Sequence, residues 1–481
     1  MVNHHPSRLR LRPDEHRVLL FVGDLLMSIA SMFAAIYTWR EYQRYVLAAD
    51  GFNQNAVERL LGNINIPIWF YLLPLAWLLL MVELYEPHTA ANWRKTFRGI
   101  AIAAFVGLII YSLVFIIRAN PNALPRIGVG AFLLYSSLLT LLWRSLYIRF
   151  YASEGQLRHF LVVGAGKAGH SLAEVYLSQN PPPFNLIGFI DDDPQILGKT
   201  VFNFPVISQS FELLELIERY KITDIAVAIS GAIQGATFQT ILDAQEQGVE
   251  VTRMPTLYEE MTGRVPIHHL ESDWIIRSFT DQARVSGMYL LVKRLLDILG
   301  GLTGLFIFVV LFPFIALAIL IDSGLPIFYS QPRLGQGGRV FKIFKYRTMR
   351  QDSEADGLVR PTEENDPRVT RIGNFLRVTH LDELPQFWNV LLGNMSMVGP
   401  RAERPELVQS FQRKVPFYRA RLLAKPGLTG WAQINYGYVA TVRDTEVKIE
   451  YDLYYIKHRS LAMDFTIILR TISTVLSRSG R

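Results

Sequence analysis

The sequence predicts a membrane protein in three parts: an α-helical transmembrane bundle, an α/β domain, and an α/β-containing domain entered by a re-entrant membrane helix hairpin. Three observations lead there. Four apolar runs fill most of the first 150 residues, a strand–helix alternation opened by a glycine-rich turn starts near residue 157, and a further apolar run at Leu295–Ile321 has a proline inside it. A chain of 481 residues suffices for about three domains. Their boundaries are expected at 1–150, 151–285 and 286–481.

The bulk numbers agree. Half the residues are apolar and mean hydropathy is +0.20, high for a soluble chain. The formal net charge of +7 is concentrated at the C-terminal end, where residues 322–481 carry 24 Lys and Arg against 16 Asp and Glu. Such a balance suits anionic partners. Cysteine is absent, which excludes disulfides, thiolate metal sites and cysteine nucleophiles. The basic N-terminus precedes an apolar run too long for a signal peptide.

The four runs are Val18–Trp39, Ile66–Val82, Ile100–Ile117 and Ile127–Trp143. Basic residues flank them unevenly. Arg8, Arg10, Arg12 and Arg17 precede the first, Arg94, Lys95 and Arg98 separate the second from the third, and Arg144, Arg149 and Arg158 follow the fourth. The positive-inside rule then puts the N-terminus and everything after Phe150 in the cytoplasm. Asp24 interrupts the first run near its cytoplasmic end, where water or a neighbouring helix can satisfy it; that reading is preferred to an intramembrane functional carboxylate.

His159–Val163 reads as a strand leading into Gly164-Ala-Gly166-Lys-Ala-Gly169 and a helix, then a second strand at Leu186–Ile190 ending on Asp191. Strand–turn–helix with an acid about 20 residues on is a dinucleotide fingerprint. Glycines let backbone approach a pyrophosphate, and the acid takes a ribose hydroxyl. The segments that follow, Phe211–Tyr220, Asp224–Ile229, Gln239–Gln247 and Val249–Arg253, alternate helix and strand, giving a Rossmann-like parallel sheet. Gly164, Gly166, Gly169 and Asp191 are the candidate nucleotide-binding residues. Whether the turn holds a ligand stays open, because such a domain can keep the turn and bind nothing.

Leu295–Ile321 carries one charge, Asp297, and is kinked by Pro313. Lys293 and Arg294 precede it, and Arg333, Arg339, Lys342, Lys345, Arg347 and Arg350 follow, so both ends look cytoplasmic. A helix that enters the bilayer and turns back fits better than a fifth span. The last apolar stretch, Leu461–Leu476, reads as an amphipathic helix against membrane or core.

Gln331–Arg350 contains six cations and no acid. Lys345 and Arg347, in a regular strand, are candidate phosphate ligands. Because the patch follows a membrane segment directly, nucleic acid is not expected. Arg368, Arg371 and Arg377 lead to Asp382 and Glu383, with Pro385 suited to a helix's first turn. These cations are expected to lower both carboxyl pKa values. Adjacent acids point in different directions, so one can attack while the other holds a metal. Val398–Arg401 and Lys425–Gln433 are rigid turns whose glycines imply backbone close to something. Asp452 adds an acid among aromatics.

Lys293–Asp297 (KRLLD), Lys345–Met349 (KYRTM), Leu381–Gln386 (LDELPQ), Asn389–Arg401 (NVLLGNMSMVGPR), Lys425–Gln433 (KPGLTGWAQ) and Tyr451–Tyr455 (YDLYY) resemble the bacterial sugar transferase family, the monotopic polyprenyl-phosphate glycosyl-1-phosphate transferases. The resemblance runs from about Ser286 to the end. The whole chain resembles large members that start exopolysaccharide, capsule or O-antigen synthesis in the bacterial cytoplasmic (inner) membrane. It implies transfer of a hexose-1-phosphate, glucose or galactose, from a UDP-sugar to undecaprenyl phosphate, with release of UMP and Mg²⁺ as cofactor. Asp382 would form a phosphosugar-aspartyl intermediate and Glu383 would hold magnesium, with Asp382 a further metal ligand. Lys345, Arg377 and Arg401 fall on the family's basic site residues, and Gln433 and Asp452 are further substrate-binding candidates. The family's membrane hairpin falls on Leu295–Ile321 and Pro313. Ala402 stands where the family has proline after VGPR.

The competing reading is a membrane-bound NAD-dependent nucleotide-sugar dehydratase or epimerase, for which Tyr289 and Lys293 have the Tyr-xxx-Lys spacing but sit at the mouth of the apolar run. A non-catalytic scaffold would leave the cations around Asp382 unexplained. A homodimer is compatible with the chain, though no residue argues for it.

Overall fold

The structure is a computed structural model that describes residues 13–62, 66–85, 90, 93–117, 126–151, 158–179, 182–270, 287–350, 366–437 and 441–476. The basic flank at Arg8, Arg10 and Arg12 and the expected boundary at 285 lie outside them. The described residues fall into two compact units. One runs to Phe160 and includes 177–187 and 218–224; the other holds 161–176, 188–217 and the chain from Ile225 on.

The N-terminal helices are α1 (Pro13–Ala49), α2 (Gln54–Gly62), α3 (Leu73–Leu80), α4 (Trp93–Ile117) and α5 (Arg126–Tyr151). Three of these, α1, α4 and α5, are long and apolar enough to cross a membrane. The second expected span is shorter than the sequence suggests. A 3-10 turn at Ile68–Leu72 precedes α3, and a second at Val82–Tyr85 follows it, because Pro74, with no N–H to donate, restarts the helix at its own N-terminus. Asp24 is met by α5: Arg144 Nη2 donates to Asp24 Oδ2 at 2.6 Å, and Arg144 Nη1 to Leu84 O at 2.6 Å, with both side chains fully buried. A neighbouring helix therefore satisfies the carboxylate.

The α/β elements are β1 (His159–Val163), α6 (Lys167–Ser178), β2 (Asn185–Ile190), β3 (Thr200–Val201), β4 (Phe204–Ser208), α7 (Leu213–Tyr220), β5 (Asp224–Val227), α8 (Gly235–Glu246), β6 (Glu250–Arg253) and α9 (Met254–Thr262). The sheet order is β3-β4-β2-β1-β5-β6. β2 and β4 are parallel, while β3 pairs antiparallel with β4 at the edge, a short hairpin the strand–helix rhythm did not announce. After α9, Val265 and Ile267 enter the same apolar core as Val398, Ile449 and Leu453.

The remaining elements are α10 (Gly287–Ser323), β7 (Phe328–Leu334), β8 (Val340–Tyr346), α11 (Arg371–Val378), α12 (Phe387–Leu392), β9 (Ser396–Val398), α13 (Pro405–Phe411), β10 (Gly427–Thr429), α14 (Trp431–Asn435), α15 (Val442–Lys457) and α16 (Leu461–Leu476). Helix α10 is unbroken over 37 residues, Pro313 included. At 1.5 Å per residue its path is about 55 Å. No loop divides it into two limbs, so the expected hairpin has no separate turn: Pro313 removes one hydrogen bond without ending the helix. One stripe of α10 packs on the domain along nearly its whole length. A Cβ on Gly304 would fall 2.3 Å from the Phe387 ring, so only glycine lets α12 approach so closely. Further along, Phe308 and Phe312 stack with Phe328 and Tyr346 of the β7–β8 hairpin, and the Asp322 carboxylate accepts from Ile372 N at 3.1 Å. Both ends thus meet the same domain. Helix α16 turns its polar interruption inward, with Asp464 buried.

β9 and β10 pair in parallel. A Cβ on Gly399 would meet Lys425 O at 2.2 Å, and one on Gly427 would meet Gly399 N at 2.1 Å. The glycines of the two rigid turns are needed because the turns press on each other.

Candidate active site

Lys345 is the next-to-last residue of β8, opposite Tyr329 in the antiparallel register. Asn389 of α12 fixes this strand, donating to Lys342 O at 2.8 Å and accepting from Phe344 N at 3.3 Å. The chain then reaches a 3-10 turn, Leu381–Gln386, through a left-handed His380 (φ 55°). Leu384 packs inward with Tyr346, Leu376, Ile315 and Ile319, so the turn is bolted to β8, α11 and α10. Asp382 and Glu383 sit in its first turn, just upstream of α12, which begins at Phe387.

Glu383 Oε1 accepts from Lys345 Nζ at 2.6 Å and from Arg401 Nη2 at 2.8 Å. Lys345 Nζ lies 3.9 Å from Asp382 Oδ2. Arg377, in the last turn of α11, is near enough for its charge to act on Asp382. Lys345, Arg377, Asp382, Glu383 and Arg401 therefore converge. The two carboxyls differ. Burial works to raise Glu383, but Arg401 and Lys345 outweigh it and hold the carboxyl well below its usual range. Burial also dominates at Asp382, and there the pull of Lys345, Arg401 and Arg377 does not overcome it, so its pKa is raised. The expectation that Arg368, Arg371 and Arg377 lower both pKa values is corrected: Arg401 and Lys345 are what lower Glu383, Arg368 pairs with Asp366, and at Asp382 the pull of Arg377 does not overcome burial.

Three other candidates stand elsewhere. Arg347 is buried and donates to Leu325 O (2.7 Å), Ser323 O (2.7 Å) and Gly324 O (2.5 Å), satisfying carbonyls where α10 ends. It caps a helix instead of facing the dyad. Asp452 is buried against Arg421 at 2.9 Å. Arg421 donates to Arg401 O at 2.9 Å and approaches Glu403 at 3.6 Å, and Lys448 donates to Glu403 at 2.6 Å. Glu403 is drawn down to about 2: burial opposes ionisation, but Lys448 and Arg421 prevail. Asp452 thus belongs to a charge network behind Arg401. Gln433 donates to Leu428 O at 3.2 Å, within its own turn. Sequence reasoning did not assign Arg421, Glu403 or Lys448 to the site, because they lie far apart in the chain and share no motif.

In the α/β domain, Gly164 has φ 108° and packs against Ala228 O, and a Cβ on Gly169 would meet Gly164 O at 2.3 Å. Gly166 faces open space. Asp191 is turned onto the loop itself, accepting from Ala165 N at 2.7 Å and Asp193 N at 3.0 Å. The Tyr-xxx-Lys pair is engaged as well: Tyr289 donates to Asp464 at 2.8 Å, and Lys293 to Asp464 at 2.9 Å and Val398 O at 3.1 Å. Neither side chain is placed beside the glycine-rich turn for redox work.

Among the described residues no three His, Asp, Glu or Cys side chains gather as a metal cage. Asp382 and Glu383 are the carboxylates a Mg²⁺ ion would have to use here, since it keeps several waters and takes one or two carboxylates plus substrate phosphate oxygens, and Glu383 Oε1 already accepts from Lys345 and Arg401.

Residues 288–478 match the family described as bacterial sugar transferase, and residues 81–255 match one described as a CoA-binding domain. The chain is 40% identical over 232 residues to a UDP-N-acetylgalactosamine-undecaprenyl-phosphate N-acetylgalactosaminephosphotransferase of Aeromonas hydrophila, covering 48% of this chain and 53% of that one. It is 30% identical over 315 residues to a UDP-glucose:undecaprenyl-phosphate glucose-1-phosphate transferase of Xanthomonas campestris pv. campestris, covering 63% of each. It is 40% identical over 196 residues to the exopolysaccharide production protein PSS of Rhizobium leguminosarum bv. phaseoli, covering 40% of this chain and 98% of that one. The matched region is thus a little over half the length of the first two relatives.

Proposed function

The chain belongs to the bacterial sugar transferase family, and from that premise we propose that it transfers a hexose-1-phosphate from a UDP-sugar to undecaprenyl phosphate, releasing UMP and opening exopolysaccharide, capsule or O-antigen synthesis. The observation that carries this reading is the pairing of a buried carboxyl, Asp382, with a neighbour, Glu383, that is held by two cations.

In the first step an Asp382 oxygen attacks the sugar-bearing phosphorus of the donor. A phosphorus–oxygen bond forms, the pyrophosphate bond breaks, and UMP leaves with its electron pair. In the second step an oxygen of the lipid phosphate attacks the same phosphorus, and the Asp382 carboxylate departs restored. Lys345, Arg377 and Arg401 offset the charge that gathers on the phosphoryl oxygens. Covalent catalysis lets a soluble donor and a membrane-held acceptor use one pocket in turn. Glu383, with Asp382, would hold Mg²⁺, which supplies Lewis-acid charge at those oxygens when bound.

Without a loop to divide it, α10 would have to bend at Pro313 within its continuous helix to enter and leave the bilayer on one side, which would set this chemistry at the headgroup plane of the inner membrane with the α/β and catalytic domains in the cytoplasm. That both ends of α10 pack on one domain supports the reading. Ile68–Tyr85, taken end to end with its two 3-10 turns, reaches about 30 Å, enough to complete a fourth crossing. The donor sugar is proposed to be glucose or galactose, with an N-acetylhexosamine the competing choice. The dehydratase reading is not favoured, since Tyr289 and Lys293 are bound to Asp464. UMP release by purified protein from a panel of UDP-sugars, with polyprenyl phosphate and Mg²⁺, tests the proposal: one donor should stand out, and no release from any would overturn it.

A further inference from the structure

The first turns of α10 carry three charged residues in five positions, Lys293, Arg294 and Asp297, where an apolar membrane helix has no need of them. Each is spent on a different part of the backbone around the dyad. Asp297 is buried, and its Oδ1 accepts from Ser396 Oγ and Met397 N, both at 2.8 Å. Lys293 Nζ donates to Val398 O at 3.1 Å, to Tyr455 Oη at 3.2 Å and to Asp464 Oδ2 at 2.9 Å. Tyr455 Oη reaches the same Val398 carbonyl at 3.2 Å. Arg294 donates to Val390 O at 2.8 Å and Leu391 O at 2.7 Å, two of the last carbonyls of α12.

Those contacts have a common destination. α12 follows directly on the turn that holds Asp382 and Glu383, and β9 leads in three residues from Val398 to Arg401. One helix therefore grips the far end of the dyad's helix and the strand that delivers Arg401. Gly300 and Gly301 of the same helix lie against Met397 and Leu391, which brings its backbone close to both elements.

The geometry points to Lys293, Arg294 and Asp297 as positioning residues that set the distance between Glu383 and Arg401 from the base of the membrane helix. This rests on the transferase reading for its catalytic consequence, though not for the contact itself. A buried charge that lost its partner would leave β9 free to shift, and a displacement of about 1 Å at a charged site is enough to cost roughly 100-fold in rate. The device also ties Arg401 to the seating of α10: the element that fixes the protein at the bilayer is the one that aligns the cation.

The experiment compares the full-length protein in lipid nanodiscs with Lys293→Met and the milder Tyr455→Phe, which removes one hydroxyl and leaves the charges. Lys293→Arg serves as the conservative rescue. Hydrogen exchange is followed by mass spectrometry over peptides spanning 396–403 and 159–253. Lys293→Met should speed exchange at 396–403 about tenfold or more, leaving 159–253 unchanged, because the hydrogen bonds lost are local. Tyr455→Phe should do so more weakly and Lys293→Arg least. In the same samples kcat for UMP release should fall about 10- to 100-fold, with KM for the UDP-sugar within about threefold, as for groups that orient a ligand without touching substrate. Unchanged exchange at 396–403 in both Lys293→Met and Tyr455→Phe would overturn the inference, and so would faster exchange with normal kcat. A wild-type protein inactive with every UDP-sugar would sink the transferase reading instead, and the exchange result would still decide whether the latch exists.

Discussion

Glu383 accepts at 2.8 Å from Arg401, 18 positions further along the chain, on the same oxygen that Lys345 reaches at 2.6 Å. Lys345 stands 3.9 Å from the neighbouring Asp382 Oδ2, farther than either cation on Glu383. One lysine and one arginine thus draw Glu383 down, while burial raises the adjacent Asp382 against the same cations.

The two should respond to neutralisation with opposite signs. Glu383 has a depressed folded pKa, so its stabilisation is present above the unfolded carboxyl range and is lost as pH falls through the folded value. Glu383→Gln removes it and leaves Lys345 and Arg401 facing each other, costing about 1–3 kcal/mol at pH 7. Asp382 has a raised folded pKa: its protonated form is the favoured one, and that advantage is lost as pH rises from the unfolded towards the folded value. Asp382→Asn resembles the protonated acid, so its Tm at pH 7 should equal or exceed the wild type's, by up to a few degrees. Differential scanning fluorimetry at pH 5 and 7 checks both. A drop in Tm for Asp382→Asn comparable to that of Glu383→Gln would contradict the burial argument.

Activity should carry the same signature. Attack requires ionised Asp382, so kcat/KM should fall on the acid side as that carboxyl protonates. Lys345 pulls this pKa down. Lys345→Met should therefore move the acid limb to higher pH as well as lowering the plateau. A pH–rate profile decides it, and an unmoved limb would detach Lys345 from Asp382.

The pair between α1 and α5 is a separate test. Arg144→Leu strands Asp24 in a fully buried setting, which should cost about 3–5 kcal/mol, whereas Asp24→Leu with Arg144→Leu should recover most of it. Unfolding in mixed detergent, followed by far-UV circular dichroism, measures both. If the double variant were as unstable as the single, the carboxylate would have a role beyond pairing.

Sidedness is open to direct chemistry, because the chain has no cysteine. Ser330→Cys, on β7 just past α10, should be labelled by an impermeant maleimide only when the cytoplasmic face is exposed. Labelling from outside would make α10 a full span.

Much of the site could be read in sequence because its chemistry is local. Lys345 stands in an alternating apolar–cationic strand, Arg377 shortly before the acid pair, and Asp382, Glu383 and Arg401 in proline- or glycine-containing turns, and the fold brings these five together. What could not be read depends on long-range partners. Arg347 follows the strand pattern of Lys345, yet the orphan carbonyls at the end of α10 take its guanidinium. Asp452 looks like a site acid until Arg421 closes on it. The glycines of the VGPR and KPGLTG turns suggest an approach to ligand, and the structure shows them pressed on each other. In the helical part, hydropathy found four apolar runs but gave Pro74 too little weight, so it overlooked the restart that shortens the second. The β3–β4 hairpin is only a few residues long, below what periodicity resolves.

The central claim is that Asp382 attacks the donor. Full-length protein, incubated with its preferred UDP-sugar and Mg²⁺ but no lipid acceptor, should release one equivalent of UMP and carry one hexose-phosphate. Tandem mass spectrometry should locate the adduct on Asp382, and added polyprenyl phosphate should remove it. An Asp382→Asn protein that still turned over at a near-normal rate, or an adduct found on any other residue, would contradict the account.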